Sequence, residues 1–425
     1  MIKTGGLSHS RVDHLRLVCF NVGQGACTLL IFPATEAGRR RRYAVVDCNV
    51  AGADSVEYYL RRHEGVSGEC ELEFVALTHY DWDHFAGINR LAGAPGSPFR
   101  TRRFIGPPMS PLEAAEKYYA PSGPAAGALQ QLYELTFGRY RTRKGRRCAD
   151  PELCAFRWDQ AYRWAPQLGQ EVQIRALAPS PSGAAGARAS GVEYSNLASG
   201  ILRVQYGKTV ALICGDVTEE EWQRILAHFA VGARPRDLLP ANAALVPHHG
   251  GSGNPPELWE RISRLSDHSM HLMRTARAAP GECRKARTKA VVSCGTVGNA
   301  SRRTLLTLAG AKVAAYCTNP SQACAGLRGE RRRPPPVCVA PPGGTPPAGS
   351  CDPGGIGPGP DVDDGAFLEG FPVGDDPGAQ AYLRPFRADL LRGSVVIDLF
   401  PASAPGVAHM GPVSRHDDCL DALLE

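Results

Sequence analysis

The run Thr78-His79-Tyr80-Asp81-Trp82-Asp83-His84 constrains this chain more than any other stretch of it. Four potential ligands, His79, Asp81, Asp83 and His84, fall within six positions. The residues before them, Phe74-Val75-Ala76-Leu77, form a short apolar run that reads as a buried strand. The residues after them, Phe85 to Leu91, read as an amphipathic helix. A strand-to-helix turn can aim several side chains at one point. Imidazole and carboxylate are the donors that hard-to-borderline divalent ions take. A surface loop that is polar by chance would not be framed by a buried strand and an apolar helix.

Further donors stand at the ends of other strand-like runs. Tyr43-Ala44-Val45-Val46 leads to Asp47. Thr209-Val210-Ala211-Leu212-Ile213-Cys214 leads through Gly215 to Asp216. Ala243-Ala244-Leu245-Val246 leads through Pro247 to His248 and His249. A lone Asp after a strand usually caps the next helix, and a lone His pair says little. Together with the first loop they supply what two metal ions need: six or more ligands, one of them able to bridge. Asp47 is a further oxygen donor, either direct or supporting.

The rest of the chain reads as alternating short strands and helices, with these residues at the C-terminal ends of strands. That is where α/β proteins gather their sites. Leu15–Phe20 and Ala26–Phe32 are expected strands, joined by Asn21-Val22-Gly23-Gln24-Gly25, whose glycines permit a tight turn. Asp54–His63 is an expected helix. Residues 93–164 carry frequent Pro, Gly and Arg and only one clear helix, near Ala125–Phe137, so they read as a basic insertion. Glu171–Leu177, Gly200–Gly207 and Ala290–Ser293 are expected strands, with a small-residue loop over Ser180–Ser190. Glu219–Phe229 is an amphipathic helix with Thr218 as its cap. Residues 326–380 are rich in Pro and Gly with almost no periodicity, and read as a disordered excursion. Gly393–Leu399 is a final strand. The expected organisation is therefore one domain over 15–325, the excursion over 326–380, and over 381–425 the last strand of that domain and a tail.

Of 425 residues, 43% are hydrophobic and 21% charged, which suits a packed globular core. No apolar run approaches the roughly 20 residues that span a bilayer, and Met1–Leu15 lacks the apolar centre of a secretory signal. A soluble, cytoplasmic protein is expected, with no membrane contact. The 14 cysteines are spread thinly. Cys19, Cys27, Cys214 and Cys294 sit inside apolar runs and are expected as buried thiols. Cys317, Cys324, Cys338 and Cys351 lack the CxxC steps of a zinc knuckle. The net charge is +6, and almost all of the basic residues are Arg. The runs Arg39–Arg42, Arg100/Arg102/Arg103, Arg139–Arg147 and Arg331–Arg333 are candidates for phosphate contact, with solvated loops as the plainer alternative.

Taken as an ordered set, these segments resemble the metallo-β-lactamase superfamily. Within it they are most similar to the soluble hydrolase domain of ComEC-type competence proteins. The resemblance rests on Phe20 to Gly25, Val46-Asp47, Thr78 to His84 with Gly87, Asn196 to Gly207, Gly215-Asp216 and Pro247 to Gly250. It spans about residues 15–320 plus the strand near 393–399. It implies an α/β fold, an αββα sandwich with metals at one edge of two sheets. It also implies roles: His79 and Asp81 on a first metal, Asp83 and His84 on a second, Asp216 between them, and one of His248 and His249 completing a shell. Asn196 and Ser199 lie where other branches place another metal-binding His. The superfamily's usual motif is HxHxDH, and here Asp81 replaces the second His. A carboxylate there makes the first site harder and favours Mn²⁺ or Mg²⁺ beside Zn²⁺. The membrane channel of the competence proteins has no counterpart in this sequence, so DNA transport is not implied.

The expected activity is hydrolysis of a phosphodiester, with nucleic acid as the favoured substrate. Two divalent ions clamp a phosphoryl group and acidify a water. Asp83 would orient that water, and His248 or His249 would protonate the leaving oxygen. A small phosphoester or acyl ester is a second possible substrate class, with residues 93–164 as a lid. A non-catalytic regulatory module that kept the fold is a third reading. Protein partners and oligomeric state are not legible.

Overall fold

The computed structural model describes residues 15–22, 25–34, 41–136, 161–164, 172–189, 192–207, 209–230, 238–251, 254–263, 288–292, 301–311, 313–317, 394–399 and 409–413. The expected excursion over 326–380, and the Arg runs at 139–147 and 331–333, lie outside the described residues.

Two sheets carry the molecule. The first is built from β1 (Leu15–Cys19), β2 (Cys27–Ile31), β3 (Tyr43–Cys48), β4 (Cys70–Ala76), β5 (Phe99–Thr101) and β6 (Phe104–Ile105), with two later strands. The second is built from β7 (Ala161–Trp164), β8 (Val172–Ala178), β9 (Ile201–Tyr206), β10 (Thr209–Cys214), β11 (Ala243–Leu245), β12 (Lys289–Val292) and β13 (Ala314–Cys317). β14 (Ser394–Leu399) and β15 (His409–Val413) join the first sheet, whose order is β15-β14-β1-β2-β3-β4-β5, with β6 also on β4. The second sheet runs β13-β12-β11-β10-β9-β8-β7. Each is antiparallel on one side and parallel on the other. The change falls at β3 in the first sheet and at β10 in the second.

The parallel connections need crossover helices. These are α1 (Gly52–Arg62) after β3, α2 (Trp82–Phe85) and α3 (Ile88–Leu91) after β4, α7 (Glu219–Ala230) after β10, α8 (Pro256–Ile262) after β11 and α9 (Arg302–Gly310) after β12. Between them come α4 (Pro111–Tyr118), α5 (Pro124–Thr136) and α6 (Pro181–Ala189).

Period-two alternation explains the layers. In β1, Val18 faces outward to a core shared with Tyr59 and Leu60 of α1, Ile88 and Leu91 of α3, and Leu129 and Leu132 of α5. Leu15 and Leu17 face inward, where Leu30, Val46 and Phe74 meet Ile174, Val204, Ile213 and Leu245 of the other sheet. On the far side, Val210 and Leu212 face Trp222 and Ile225 of α7, Leu258 and Trp259 of α8, and Leu308 of α9. The arrangement is helix, sheet, sheet, helix: the expected αββα sandwich. Strands buried on both faces are continuous apolar runs, which is how they read in the sequence. Each buried Leu, Val or Phe stabilises this stack by about 1.5–3 kcal/mol.

Three local features differ from the sequence reading. Residues 93–136, expected as a basic insertion with only one clear helix, supply β5 and β6 of the first sheet and α4 and α5 on its outer core. Ser180–Ser190, expected as a loop, contains α6: Ser180 Oγ accepts from Gly183 N and Pro181 opens the helix, both standard starts. β15 was not expected because it contains Gly411 and Pro412. It is an edge strand of its sheet, a place where a strand Pro is tolerated. Among the described residues, Cys19, Cys27, Cys48, Cys70 and Cys214 are free and buried. No helix of the described residues is long and apolar enough to cross a membrane.

Candidate metal centre

Both sheets deliver their polar residues at the same edge, where β3, β4, β10 and β11 end. The loop after β4 places His79 and His84 in the interior, with Asp81 and Asp83 beside them. Asp216, just past β10, reaches the same place. Its Oδ1 lies 3.3 Å from His84 Nε2, and its Oδ2 lies 3.9 Å from His79 Nε2, 3.5 Å from His249 Nε2 and 4.0 Å from His248 Nε2. One carboxylate thus faces four imidazoles contributed by two loops.

Two groups of donors share this centre. His79 Nε2 is 3.4 Å from Asp81 Oδ2. Asp83 Oδ2 is 3.3 Å from His249 Nε2, which is 3.1 Å from His84 Nε2. Within each of the sets His79/His84/Asp216 and Asp83/His84/His249, donor atoms lie within 4.8 Å of one another. That spacing matches atoms arranged around one ion at bond lengths near 2.0–2.2 Å. His79 Nε2 is buried without a hydrogen-bond partner, so the lone pair of this ring atom is left for a cation. The residues present therefore fit a metal ion.

The sequence left His248 and His249 undistinguished, and the geometry separates them. The side chain of His249 is 4% exposed and that of His248 is 42% exposed. Both residues, and Gly250 after them, have left-handed backbone: φ is 52°, 51° and 80°. This sharp turn buries His249 against Asp83 and Asp216 while His248 stands at the mouth. Asn254 holds the turn by donating Nδ2–H to the carbonyls of Pro247 (3.2 Å) and Gly251 (3.1 Å).

Asp47 is the third non-glycine residue with positive φ among those described, at 55°. Thr28 pairs with Val46 and Cys27 with Cys48, so Asp47 is the extra residue of a β-bulge. Bulges re-aim side chains, and Asp tolerates this backbone. Its Oδ2 accepts from Thr78 Oγ1 at 2.8 Å and lies 2.8 Å from His84 Nδ1, while its Oδ1 accepts from Thr78 N at 2.7 Å. A carboxylate on Nδ1 fixes the ring and leaves Nε2 to the centre, a common support for metal-binding His. Thr78 Oγ1 is also 3.0 Å from His79 Nδ1, and Ser199 Oγ is 3.4 Å from it. All three strained residues found here lie at this one site, which is where such strain concentrates.

The charge balance is unusual for an interior. Burial alone would raise the pKa of Asp216, but His249, His84 and His79 outweigh it and hold the carboxyl well below its ordinary value. Asp83 is likewise lowered: burial opposes, and the His84 and His249 charges prevail. For His84, burial favours the neutral ring, yet Asp216, Asp47 and Asp83 push its pKa well above the ordinary range. His249 is raised in the same way, chiefly by Asp216 against burial. The carboxylates therefore call for positive charge between them, which protons on imidazole or divalent ions can provide.

Some supporting residues were not singled out in the sequence. Thr78 stood in the motif but without a role. Tyr80 Oη donates to Met109 O at 2.7 Å and Tyr119 Oη donates to Tyr80 O, tying the loop to α4. Gly25, from the Asn21–Gly25 turn, has φ 103°, and a Cβ there would strike the carbonyl of Asp83. Ser195 donates to Asp81 Oδ1. Asn196, expected at the site, has its Oδ1 3.5 Å from Ser195 Oγ. It is beside the cluster, one residue removed from the contact with Asp81. Of the candidate phosphate-binding arginines, Arg41 pairs with Glu64, Arg42 with Glu73, and Arg102 with Glu71 and Glu73. Arg100 and Arg103 are exposed.

No family model and no curated protein matches this chain. Solved structures do. It is similar to zinc-bound PqqB from Methylobacterium extorquens, at 12% identity over 52% of this chain and 59% of that one, with a TM-score of 0.26. It is similar to the MIM-2 metallo-β-lactamase, at 13% identity over 56% and 74%, with a TM-score of 0.31. A new diphosphatase from the PhnP family is also similar, at 8% identity over 69% and 72%, with a TM-score of 0.26. The chain spans about three fifths of the length of the PqqB chain.

Proposed function

We propose that the chain is a binuclear metal-dependent hydrolase of metallo-β-lactamase type that cleaves phosphodiesters. The observation that carries this reading is Asp216, a buried carboxylate that faces His84 through Oδ1 and His79, His249 and His248 through Oδ2. Asp81 stands beside His79, and Asp83 stands beside His249, so two further carboxylates flank it. A carboxylate shared by this many donors would bridge two ions. His79, Asp81 and Asp216 would hold the first; Asp83, His84, His249 and Asp216 the second. When bound, Zn²⁺ or Mn²⁺ (or Mg²⁺) supplies Lewis acidity and lowers the pKa of a water toward neutrality.

The chain's own residues do the rest. Asp47 and Thr78 hold the His84 and His79 rings with Nε2 inward. Asp83 lies 3.3 Å from His249 and would orient the attacking water. His248, half-exposed, would protonate the departing oxygen. General acid help of this kind contributes about 10²–10⁴-fold. A phosphodiester is favoured over an acyl substrate because Asp81 makes the first site rich in oxygen donors, which suits ions that clamp phosphoryl oxygens. This agrees with the resemblance of the motif set to competence-protein hydrolases. Nucleic acid is the proposed polymer, with Arg100 and Arg103 as exposed cations for its backbone. A cytoplasmic location is part of the same reading.

The test is cleavage of single- and double-stranded DNA, RNA and a small aryl phosphodiester by metal-stripped protein reloaded with Mn²⁺, Mg²⁺ or Zn²⁺. Metal-dependent cleavage of a phosphodiester is expected. Turnover of acyl esters alone would move the substrate class, and no turnover of any substrate would favour a non-catalytic module.

A further inference from the structure

We propose that Ser195 is a positioning residue that turns Asp81 into a one-oxygen ligand, and so controls retention of the first metal ion. The inference rests on the binuclear reading above and adds to it a residue from the second sheet's side of the molecule.

Asp81 stands at the N-cap of α2, with extended backbone (φ −84°, ψ 143°). An Asp there ordinarily accepts from the free N–H groups of the first helical turn. This one makes no such bond. Its side chain is instead turned away from its own helix. Oδ1 accepts from the Ser195 hydroxyl, and Oδ2 lies 3.4 Å from His79 Nε2. Ser195 belongs to a 3-10 turn, Val192–Ala198, and is 4% exposed. That turn comes between α6 and β9, so an element outside the metal loop holds the loop's carboxylate.

The consequence is chemical. Asp81 is the most exposed of the three central carboxylates, at 36% against 21% for Asp83 and 7% for Asp216. It is the one least held by burial. Its alternative, capping α2, is always within reach. The Ser195 hydrogen bond occupies Oδ1 and leaves Oδ2 as the single oxygen facing His79. The hydroxyl carries one proton, and Asn196 Oδ1, at 3.5 Å, is the weaker acceptor for it.

The experiment is calorimetric titration of Mn²⁺ and Zn²⁺ into the metal-stripped full chain, with metal-free thermal melting alongside. Wild type should take up two equivalents. Asp81→Ala identifies the first-site equivalent as the one it weakens. Ser195→Ala should weaken that same equivalent about 10–100-fold, the usual size of an outer support's contribution. The other equivalent should stay within about threefold, and metal-free melting should be unchanged. Ser195→Cys, a weaker donor of similar size, should give an intermediate loss and serves if the Ala variant does not fold. In an Asp81→Ala background, Ser195→Ala should add less than about threefold. Unchanged binding by both Ser195 variants, equal loss at both sites, or a full additive loss in the double variant would each overturn the proposal. Fewer than two equivalents in wild type would overturn the binuclear reading, and this inference with it.

Discussion

Two groups of side chains gather at Asp216: His79 with Asp81, and Asp83 with His84 and His249. The second group is the better buried: His84 is 1% exposed, His249 4% and Asp83 21%. Its rings are held by a bulged carboxylate and by a left-handed turn. The first group has one imidazole and one half-open carboxylate, steadied by the Ser195 hydroxyl. The difference teaches how one scaffold can build two unequal sites. The imidazole-rich group is held by backbone strain, burial and the Asp47 carboxylate; in the other, His79 lies against the Thr78 and Ser199 hydroxyls and Asp81 accepts from Ser195. On the binuclear reading, the site of His79 and Asp81 is expected to release its ion more readily.

The largest effect should come from the residue both halves share. Asp216→Ala should abolish binding of the second equivalent and lower turnover at least about 10³-fold, a loss of roughly 4 kcal/mol in barrier stabilisation. Retention of two tight ions would break the bridging role. Next comes the histidine pair. His249→Ala should cost one metal equivalent, whereas His248→Ala should keep both and slow turnover about 10²–10⁴-fold. If His248→Ala loses metal and His249→Ala does not, the assignment is reversed. Asp47→Asn should weaken the imidazole-rich site about 10–100-fold through His84, with the His79/Asp81 site less affected. Metal titration of the variant checks that asymmetry. The smallest effect is structural. Gly25→Ala should destabilise the folded chain by about 1–3 kcal/mol, because φ of 103° is unsuited to Ala and its Cβ would meet the Asp83 carbonyl. Denaturant unfolding reads this directly, and an unchanged midpoint would show that the turn yields freely.

Much of this site was legible in the sequence because its donors follow apolar strands. Thr78–His84, Asp216 and His248/His249 each stand where a run of buried residues stops, and a chain can seldom leave such residues in an interior without a task for them. Asp47 was visible for the same reason. What could not be read was conformation within a loop. His248 and His249 are identical by composition, and only the left-handed turn decides which is buried. The Ser195 contact joins residues 114 apart in sequence, and a lone Ser beside Asn196 gives no local signal of it. The apolar runs marked the buried strands, while the sandwich itself was implied by the resemblance of the ordered motif set to the metallo-β-lactamase superfamily. The weak pattern of residues 93–136 concealed α4 because its capping box, Ser110 with Glu113, precedes a segment of low apolar content. The edge strand β15 was concealed by its own Gly and Pro.

The central claim, two metal ions bridged by Asp216, is tested most directly by anomalous diffraction from crystals of the full chain soaked in Mn²⁺ or Zn²⁺. Two peaks are predicted, one between His79, Asp81 and Asp216 and one between Asp83, His84, His249 and Asp216. A single peak, no peak, or peaks away from Asp216 would contradict it.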